Sequence, residues 1–320
     1  VGLPGKVFFG NSGAEANDGL IKLARRFGHA AGGDRYEVIT CTQSFHGRTL
    51  GAMSATGQPK MHEGFNPLLP GFRYAPFNDL PALEEAITPA TAAILFEPIQ
   101  GEGGVNVATQ SFIEGAAELC HKHDLLLLFD EVQCGFGRAG ELMGWRTLAP
   151  EVKPDGISWA KGMGGGFPIG AFWTSDRPTG DGTPLSSLLG PGSHGSTYGG
   201  NPLACATSLA VLKEVIEQDL ASQASKLGDQ IKKTILGWNH PAITEVRGMG
   251  LLLGIGLDAN AIEKAEGQTP ALAICLRALE LGLLVVPAGP ETVRLLPPLN
   301  VTESEVSEAL DLLNRALGGA

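Results

Sequence analysis

Cysteine is scarce and scattered. The five residues, Cys41, Cys120, Cys134, Cys205 and Cys275, lie far apart with no C-x-x-C pair. This pattern indicates neither a disulfide framework nor a zinc site, and a reducing cytoplasm suits the chain best. Basic residues are outnumbered: 23 Lys and Arg against 34 Asp and Glu leave a formal net charge of -11. With no Lys/Arg cluster there is no stripe for a phosphate backbone, so the balance disfavours a nucleic-acid partner and an anionic ligand needs locally placed donors. No apolar run approaches the ~18 residues of a membrane span, and the start Val1-Gly2-Leu3-Pro4 has no signal-peptide pattern. Internal repeats and low-complexity segments are lacking too. The chain does not open on Met, and Lys6-Val-Phe-Phe-Gly10 already reads as part of a core, so further sequence is expected ahead of Val1.

What is present is a core former. Hydrophobic residues make up 43% of the chain and charged residues 18%, enough for one large domain or two unequal ones. Glycine, at 45 residues, gathers in short clusters such as Gly164-Gly165-Gly166 and Gly199-Gly200, as expected for tight turns where backbone approaches a ligand.

Short apolar runs alternate with helical stretches. Tyr36 to Thr40, Ala92 to Phe96, Leu125 to Phe129, Gly156 to Ala160 and Ile169 to Thr174 are strand candidates. The alternation predicts an α/β fold with a mainly parallel sheet flanked by helices. Ser12-Gly-Ala-Glu15 matches a capping box that opens a helix with an apolar stripe through Ala16, Leu20, Leu23, Ala24 and Phe27, and Gly28 is its expected stop. A helix is expected from Asn201-Pro202 to about Gln218. Beyond it the strands are Leu251 to Leu257, Leu283 to Val286 and Val293 to Leu296, and a second capping box, Thr302 to Glu305, opens a final helix. The predicted division is a large domain, 1-218, and a smaller C-terminal α+β domain, 219-320.

Ligands of open α/β sheets bind beyond the carboxyl ends of the strands, and the polar residues at those ends carry the chemistry. Asp130 closes the run Leu125-Leu-Leu-Leu-Phe129, where an unpaired charge would cost several kcal/mol. It requires a partner, which a nearby arginine could supply. The acidic pair of a P-loop ATPase is the other reading. It fails, because Gly5-Lys6 lacks the glycine spacing and the Ser or Thr that such a loop requires. Lys161 stands alone between the strand ending at Ala160 and a glycine turn. An isolated lysine is ordinarily a solvated surface residue, but one taken out of water becomes a nucleophile toward a carbonyl. Beside a carboxylate and a phosphate site it suits a Schiff-base cofactor. Gly13 and Ala14 at the helix start offer backbone N–H groups for a phosphate, and Ser196 and Thr197 offer hydroxyls. His121 and His123, two apart on a helix, point to different faces, and no metal is expected.

Taken in order, Phe9-Gly-Asn-Ser-Gly-Ala-Glu-Ala-Asn17, Ser44-Phe-His-Gly-Arg48, Glu97-Pro-Ile-Gln-Gly-Glu-Gly-Gly104, Asp130-Glu-Val-Gln133, Ala160-Lys161-Gly and Gly195-Ser-Thr-Tyr-Gly-Gly-Asn-Pro202 resemble the class III, fold type I aminotransferases that depend on pyridoxal 5'-phosphate. Within that family they resemble the acetylornithine aminotransferases. The resemblance runs over nearly the whole chain. It implies that Lys161 holds the cofactor as a Schiff base and that Asp130 pairs with the pyridinium nitrogen. By the same resemblance Phe45 and Val132 pack against the two ring faces, Gln133 lies near the ring hydroxyl, and Ser12, Gly13 and Ala14 form the phosphate cradle. Ser196 and Thr197 would reach the phosphate from a neighbouring subunit, making a homodimer with shared active sites. Arg48 resembles the residue that binds the substrate α-carboxylate. Arg294 resembles the one that binds 2-oxoglutarate or glutamate, with Glu102 neutralising it when the other donor binds. His46 is expected as a neighbour of the ring, and Glu97 as a residue that orders the site.

The function so implied is transfer of the terminal amino group of N2-acetyl-L-ornithine to 2-oxoglutarate. The products are N-acetyl-L-glutamate 5-semialdehyde and L-glutamate, in arginine biosynthesis. The alternatives are another class III aminotransferase acting on ornithine, succinylornithine, succinyldiaminopimelate or 4-aminobutyrate, or a truncated protein that binds pyridoxal phosphate without full activity.

Overall fold

The computed structural model describes residues 1–30 and 33–318. Two compact units emerge: Val1–Pro98, Ala108–Gly135 and Trp145–Lys213 form the first, and Ile99–Val107, Phe136–Gly144 and Glu214–Ala320 the second. The division falls inside the helix Pro202–Glu217, ahead of the position 218 taken from the sequence. Two short excursions from the middle of the chain join the second unit, and linear pattern reading does not assign them.

The first unit is built on a seven-stranded sheet in the order Gly5–Gly10, Gly170–Ser175, Gly156–Trp159, Leu126–Asp130, Thr91–Phe96, Glu37–Cys41 and Phe72–Ala75. From Gly156–Trp159 to Phe72–Ala75 the neighbours run parallel, while the first two strands add antiparallel pairs. Thr91–Phe96 and Leu126–Asp130 are buried at every residue, which is why they read as unbroken apolar runs and not as alternations. The strand Gly5–Gly10 lies at the edge and leaves Val7 and Phe9 exposed.

The first helix, Gly13–Ala30, lays its apolar stripe on this sheet: Leu20, Leu23, Ala24 and Phe27 are buried against Val38, Ala93, Leu126 and Phe172 among others. Each of the leucine and phenylalanine side chains contributes about 1.5–3 kcal/mol by leaving water. Two details differ from expectation. The Ser12 hydroxyl accepts the Glu15 N–H at 3.3 Å, but the Glu15 carboxylate accepts the backbone N–H of Asn11, one residue ahead of the predicted partner. Gly28 does not end the helix, which continues to Ala30. It is glycine because a Cβ there would lie 1.9 Å from the Arg35 carbonyl oxygen.

The second unit carries a four-stranded antiparallel sheet in the order Ile243–Met249, Leu252–Leu257, Thr292–Leu295 and Val286–Pro287. The strand expected at Leu283 to Val286 is reduced to Val286–Pro287, and Ile243–Met249 was not foreseen. Helices Leu220–Gly237, Pro270–Glu280 and Glu303–Leu317 close the core through residues such as Ile231, Ile274 and Leu313. The Thr302–Glu305 capping box forms in full.

Candidate active site

The carboxyl ends of the parallel strands open into a cavity of about 670 Å³ in the first unit, within the ~300–1,000 Å³ typical of small-molecule sites. Each wall leaves a strand end or a helix start. Asp130 closes Leu126–Asp130, Lys161 follows Gly156–Trp159, the loop with Phe45, His46 and Arg48 follows Glu37–Cys41, and Ser12–Ala14 opens the first helix.

Asp130 is 3% exposed. Its Oδ1 accepts the Val132 N–H at 3.0 Å and the Ser158 hydroxyl at 3.4 Å. Its Oδ2 accepts the Asn17 amide at 2.7 Å and lies 2.8 Å from His46 Nδ1. Among the described residues the ring beside Oδ2 is therefore this histidine, and not the arginine that the sequence reading allowed. Donors reach both oxygens, which offsets the several kcal/mol that isolation of the charge would cost.

Lys161 lines the same cavity and is exposed on its open wall. In the single chain this residue is exposed, where the sequence reading expected a lysine taken out of water. The fold instead supplies direction. Lys161 has a left-handed backbone, φ +46°, and Gly165 and Gly166 in the following turn have φ +54° and +104°. For a non-glycine residue that conformation costs on the order of 1–2 kcal/mol, and such strain collects at functional sites.

Phe45, Arg48, Val132 and Gln133 also line the cavity. The Phe45 N–H donates to Glu97 Oε2 at 3.0 Å, so the buried Glu97 holds the loop that carries the aromatic ring. The Arg48 guanidinium lies 5.4 Å from the centre of that ring. Ser12, Gly13 and Ala14 bring the first N–H groups of the helix, which have no intrahelical partner and suit an anion. A Cβ on Gly13 would come within 2.8 Å of Val132 Cγ1, so only glycine lets the helix start and this wall approach so closely. Below the site, burial and then the nearby Glu97 push the Cys41 thiol far up, so it is no nucleophile.

Ser196 and Thr197 are not among the residues lining this cavity. Ser196 accepts from the Asn11 amide at 3.0 Å and from the Gly199 N–H at 3.1 Å, facing a smaller recess beside Glu15. In the second unit, Arg294 Nη1 donates to Glu102 Oε1 at 2.7 Å and to the Gly101 carbonyl at 2.9 Å. Arg247 donates to the Gly104 carbonyl at 2.8 Å, so two arginines grip the turn that carries Glu102.

Sequence reasoning missed Asn11, Asn17, Thr49 and Phe167–Ile169, all on the cavity wall. Asn17 had a signal: it is a polar residue one turn into the helix, beside the buried stripe. The donor set fits pyridoxal phosphate. It offers a buried carboxylate for the ring nitrogen, an amine for the aldehyde, an aromatic side chain for the ring and a helix start shaped by Gly13 for the phosphate.

Comparison with known proteins agrees. The family model for class III aminotransferases matches residues 2–317. The acetylornithine aminotransferase of Caldanaerobacter subterraneus subsp. tengcongensis is 45% identical over 316 residues, covering 98% of this chain and 76% of that protein. That of Prochlorococcus marinus strain MIT 9313 is 44% identical, covering 97% and 73%. Among solved structures, the ornithine aminotransferase of Toxoplasma gondii ME49 superposes with a TM-score of 0.88 at 34% identity, covering 98% of this chain and 72% of that one. The chain belongs to the class III aminotransferases.

Proposed function

We propose that this aminotransferase moves the terminal amino group of N2-acetyl-L-ornithine to 2-oxoglutarate. It thereby forms N-acetyl-L-glutamate 5-semialdehyde and L-glutamate, a step of arginine biosynthesis. The observation that carries the reading is one cavity whose wall holds Lys161, Asp130, Phe45 and the start of the first helix together. Relatives named acetylornithine aminotransferase, at 42–45% identity, support the choice of donor.

Pyridoxal phosphate, when bound, supplies the carbonyl that takes up an amine and the ring that accepts electrons as a proton leaves the substrate. Asp130 holds a proton on the ring nitrogen. Lys161 Nζ would be the amine that holds the cofactor's carbonyl, and it stands where it could move a proton at the amine-bearing carbon of the substrate. Phe45, held by Glu97, and Val132 would pack against the ring and exclude water, and Gln133 would hydrogen-bond to it. Ser12, Gly13 and Ala14 bind the phosphate.

Arginines suit the two carboxylate substrates because their planar fork binds such groups through paired hydrogen bonds. Arg48 takes the α-carboxylate of the donor, and Arg294 takes that of 2-oxoglutarate or glutamate. Glu102 neutralises Arg294 while the terminal amine of acetylornithine is presented. The enzyme works as a homodimer in which Ser196 and Thr197 reach the neighbour's phosphate site. The exposure of Tyr198, Leu203 and Leu209, close in sequence to Ser196 and Thr197, supports this reading. The wide spacing of the five cysteines along the sequence favours a reducing cytoplasm.

The hypothesis is tested by adding pyridoxal phosphate to the purified protein and comparing turnover of acetylated and free ornithine. A visible band and preference for the acetylated donor are expected, with both band and activity lost in Lys161→Ala. Retention of both by that variant refutes the assignment of Lys161, and preference for free ornithine refutes the assignment of substrate.

A further inference from the structure

Behind Asp130 lies a side chain that the mechanism above does not use. Asn17, 1% exposed, reaches from the first helix to three other pieces of the site. Its Nδ2 donates to Asp130 Oδ2 at 2.7 Å and to the His46 carbonyl at 2.7 Å. Its Oδ1 accepts the Ser158 hydroxyl at 2.6 Å. Both amide protons and the amide oxygen are thus engaged. Ser158, fully buried, stands opposite Asp130 across the paired strands and also approaches its Oδ1 at 3.4 Å.

The orientation of this amide is forced. Turned over, it would press its oxygen against a carboxylate and a carbonyl, leaving three acceptors together, whereas the Ser158 hydroxyl can serve either orientation. In the orientation so fixed, the Ser158 hydroxyl donates to the amide oxygen from the far side. The carboxylate therefore cannot rotate without giving up a charge-assisted bond in a dry environment, where an unmade bond is most costly.

We propose that Asn17 and Ser158 are positioning residues of the cofactor site: they fix the Asp130 carboxylate so that it meets the cofactor's ring nitrogen. The inference rests on the reading of the cavity as a pyridoxal phosphate site. His46 holds the same oxygen from the loop side, but Asn17 ties the helix, that loop and the strand end into one unit.

The test is titration of the apo protein with pyridoxal phosphate, and separately with its 1-deaza analogue, in which carbon replaces the ring nitrogen. Asn17→Ala is expected to weaken binding of pyridoxal phosphate about tenfold, the loss of one hydrogen bond to a charged group. Ser158→Ala should weaken it about threefold, and Ser158→Thr should restore wild-type affinity. The double Asn17→Ala, Ser158→Ala variant should bind more weakly than Asn17→Ala alone, because a serine that has lost the amide can still donate to Asp130 Oδ1.

With the deaza analogue the wild-type advantage should vanish. Differences that persist with that analogue mean a purely structural role and overturn the proposal, as does equal affinity of wild type and variants for pyridoxal phosphate itself. If Asn17→Ala does not fold, the Ser158 pair decides alone. A wild-type protein that binds no pyridoxal phosphate overturns the functional reading instead, and the proposal falls with it.

Discussion

Replacing Arg177 by methionine removes the cation at the end of the sheet away from the active site, and the structure sets the size of the effect. Arg177 Nη1 donates to Asp155 Oδ2 at 3.0 Å and to the Leu125 carbonyl at 2.9 Å, while Nη2 meets Asp124 Oδ1 at 2.6 Å. The Asp124 side chain is 64% exposed, so that pair contributes ~0–1 kcal/mol. The Asp155 side chain is 11% exposed, and breaking a buried pair costs about 3–5 kcal/mol. Because the arginine is 30% exposed, water reaches the pair, and we expect a loss near the low end, about 3 kcal/mol. Methionine keeps apolar contact with the Phe27 ring, over which the guanidinium lies at 5.5 Å, so the loss is electrostatic.

A pH signature separates this from simple loss of packing. Burial raises the Asp155 carboxyl above its ordinary value, while Arg177 and the Leu127 N–H pull it down. Without the arginine it rises further. A carboxyl whose folded value lies above the unfolded ~3.9 binds its proton more tightly in the native state, so stability increases as pH falls through the folded value. The R177M penalty, measured by urea unfolding, should be full at pH 8 and smaller at pH 5. Adding Asp155→Asn should recover much of it at pH 8. Equal penalties at both pH values, or no recovery in the double variant, would refute the reasoning.

Three further outcomes are expected. Gly28→Ala should destabilise by about 2–3 kcal/mol although alanine is the better helix former by ~1 kcal/mol, because the added methyl meets a backbone carbonyl that cannot yield; a stabilised protein in thermal melts would contradict this. Asp130→Asn should lower kcat on the order of 10²–10³-fold, by analogy with loss of an electrostatic stabiliser, and steady-state kinetics that show less than a tenfold drop would argue against its role. Gly13→Ala should weaken pyridoxal phosphate binding roughly tenfold by pushing Val132 into the cavity, read from a binding titration in which unchanged affinity counts against the cradle.

Much of the site was legible because its chemistry sits at pattern boundaries. Asp130 ends an apolar run and Lys161 stands between a strand and a glycine turn, so period and punctuation exposed them. Ser12, Gly13 and Ala14 announced themselves through a capping signal. The strands Thr91–Phe96 and Leu126–Asp130 were visible because both faces are covered. Edge and half-covered strands such as Phe72–Ala75 and Ile243–Met249 were not, since exposed residues interrupt their apolar pattern.

The sequence by itself determined the elements: runs of side chains whose spacing permits one secondary structure, and glycines and caps whose local geometry needs nothing beyond their neighbours. The family resemblance likewise follows from residues in order along the chain. Only the tertiary structure decided which groups meet. That His46 and Asn17, not an arginine, hold Asp130 depends on a helix, a loop and two strands converging. That Gly28 permits a close approach where it was expected to stop a helix depends on Arg35 arriving from the next segment. Contacts between residues distant in the chain arise from packing the sheet as a whole, and no local pattern encodes them.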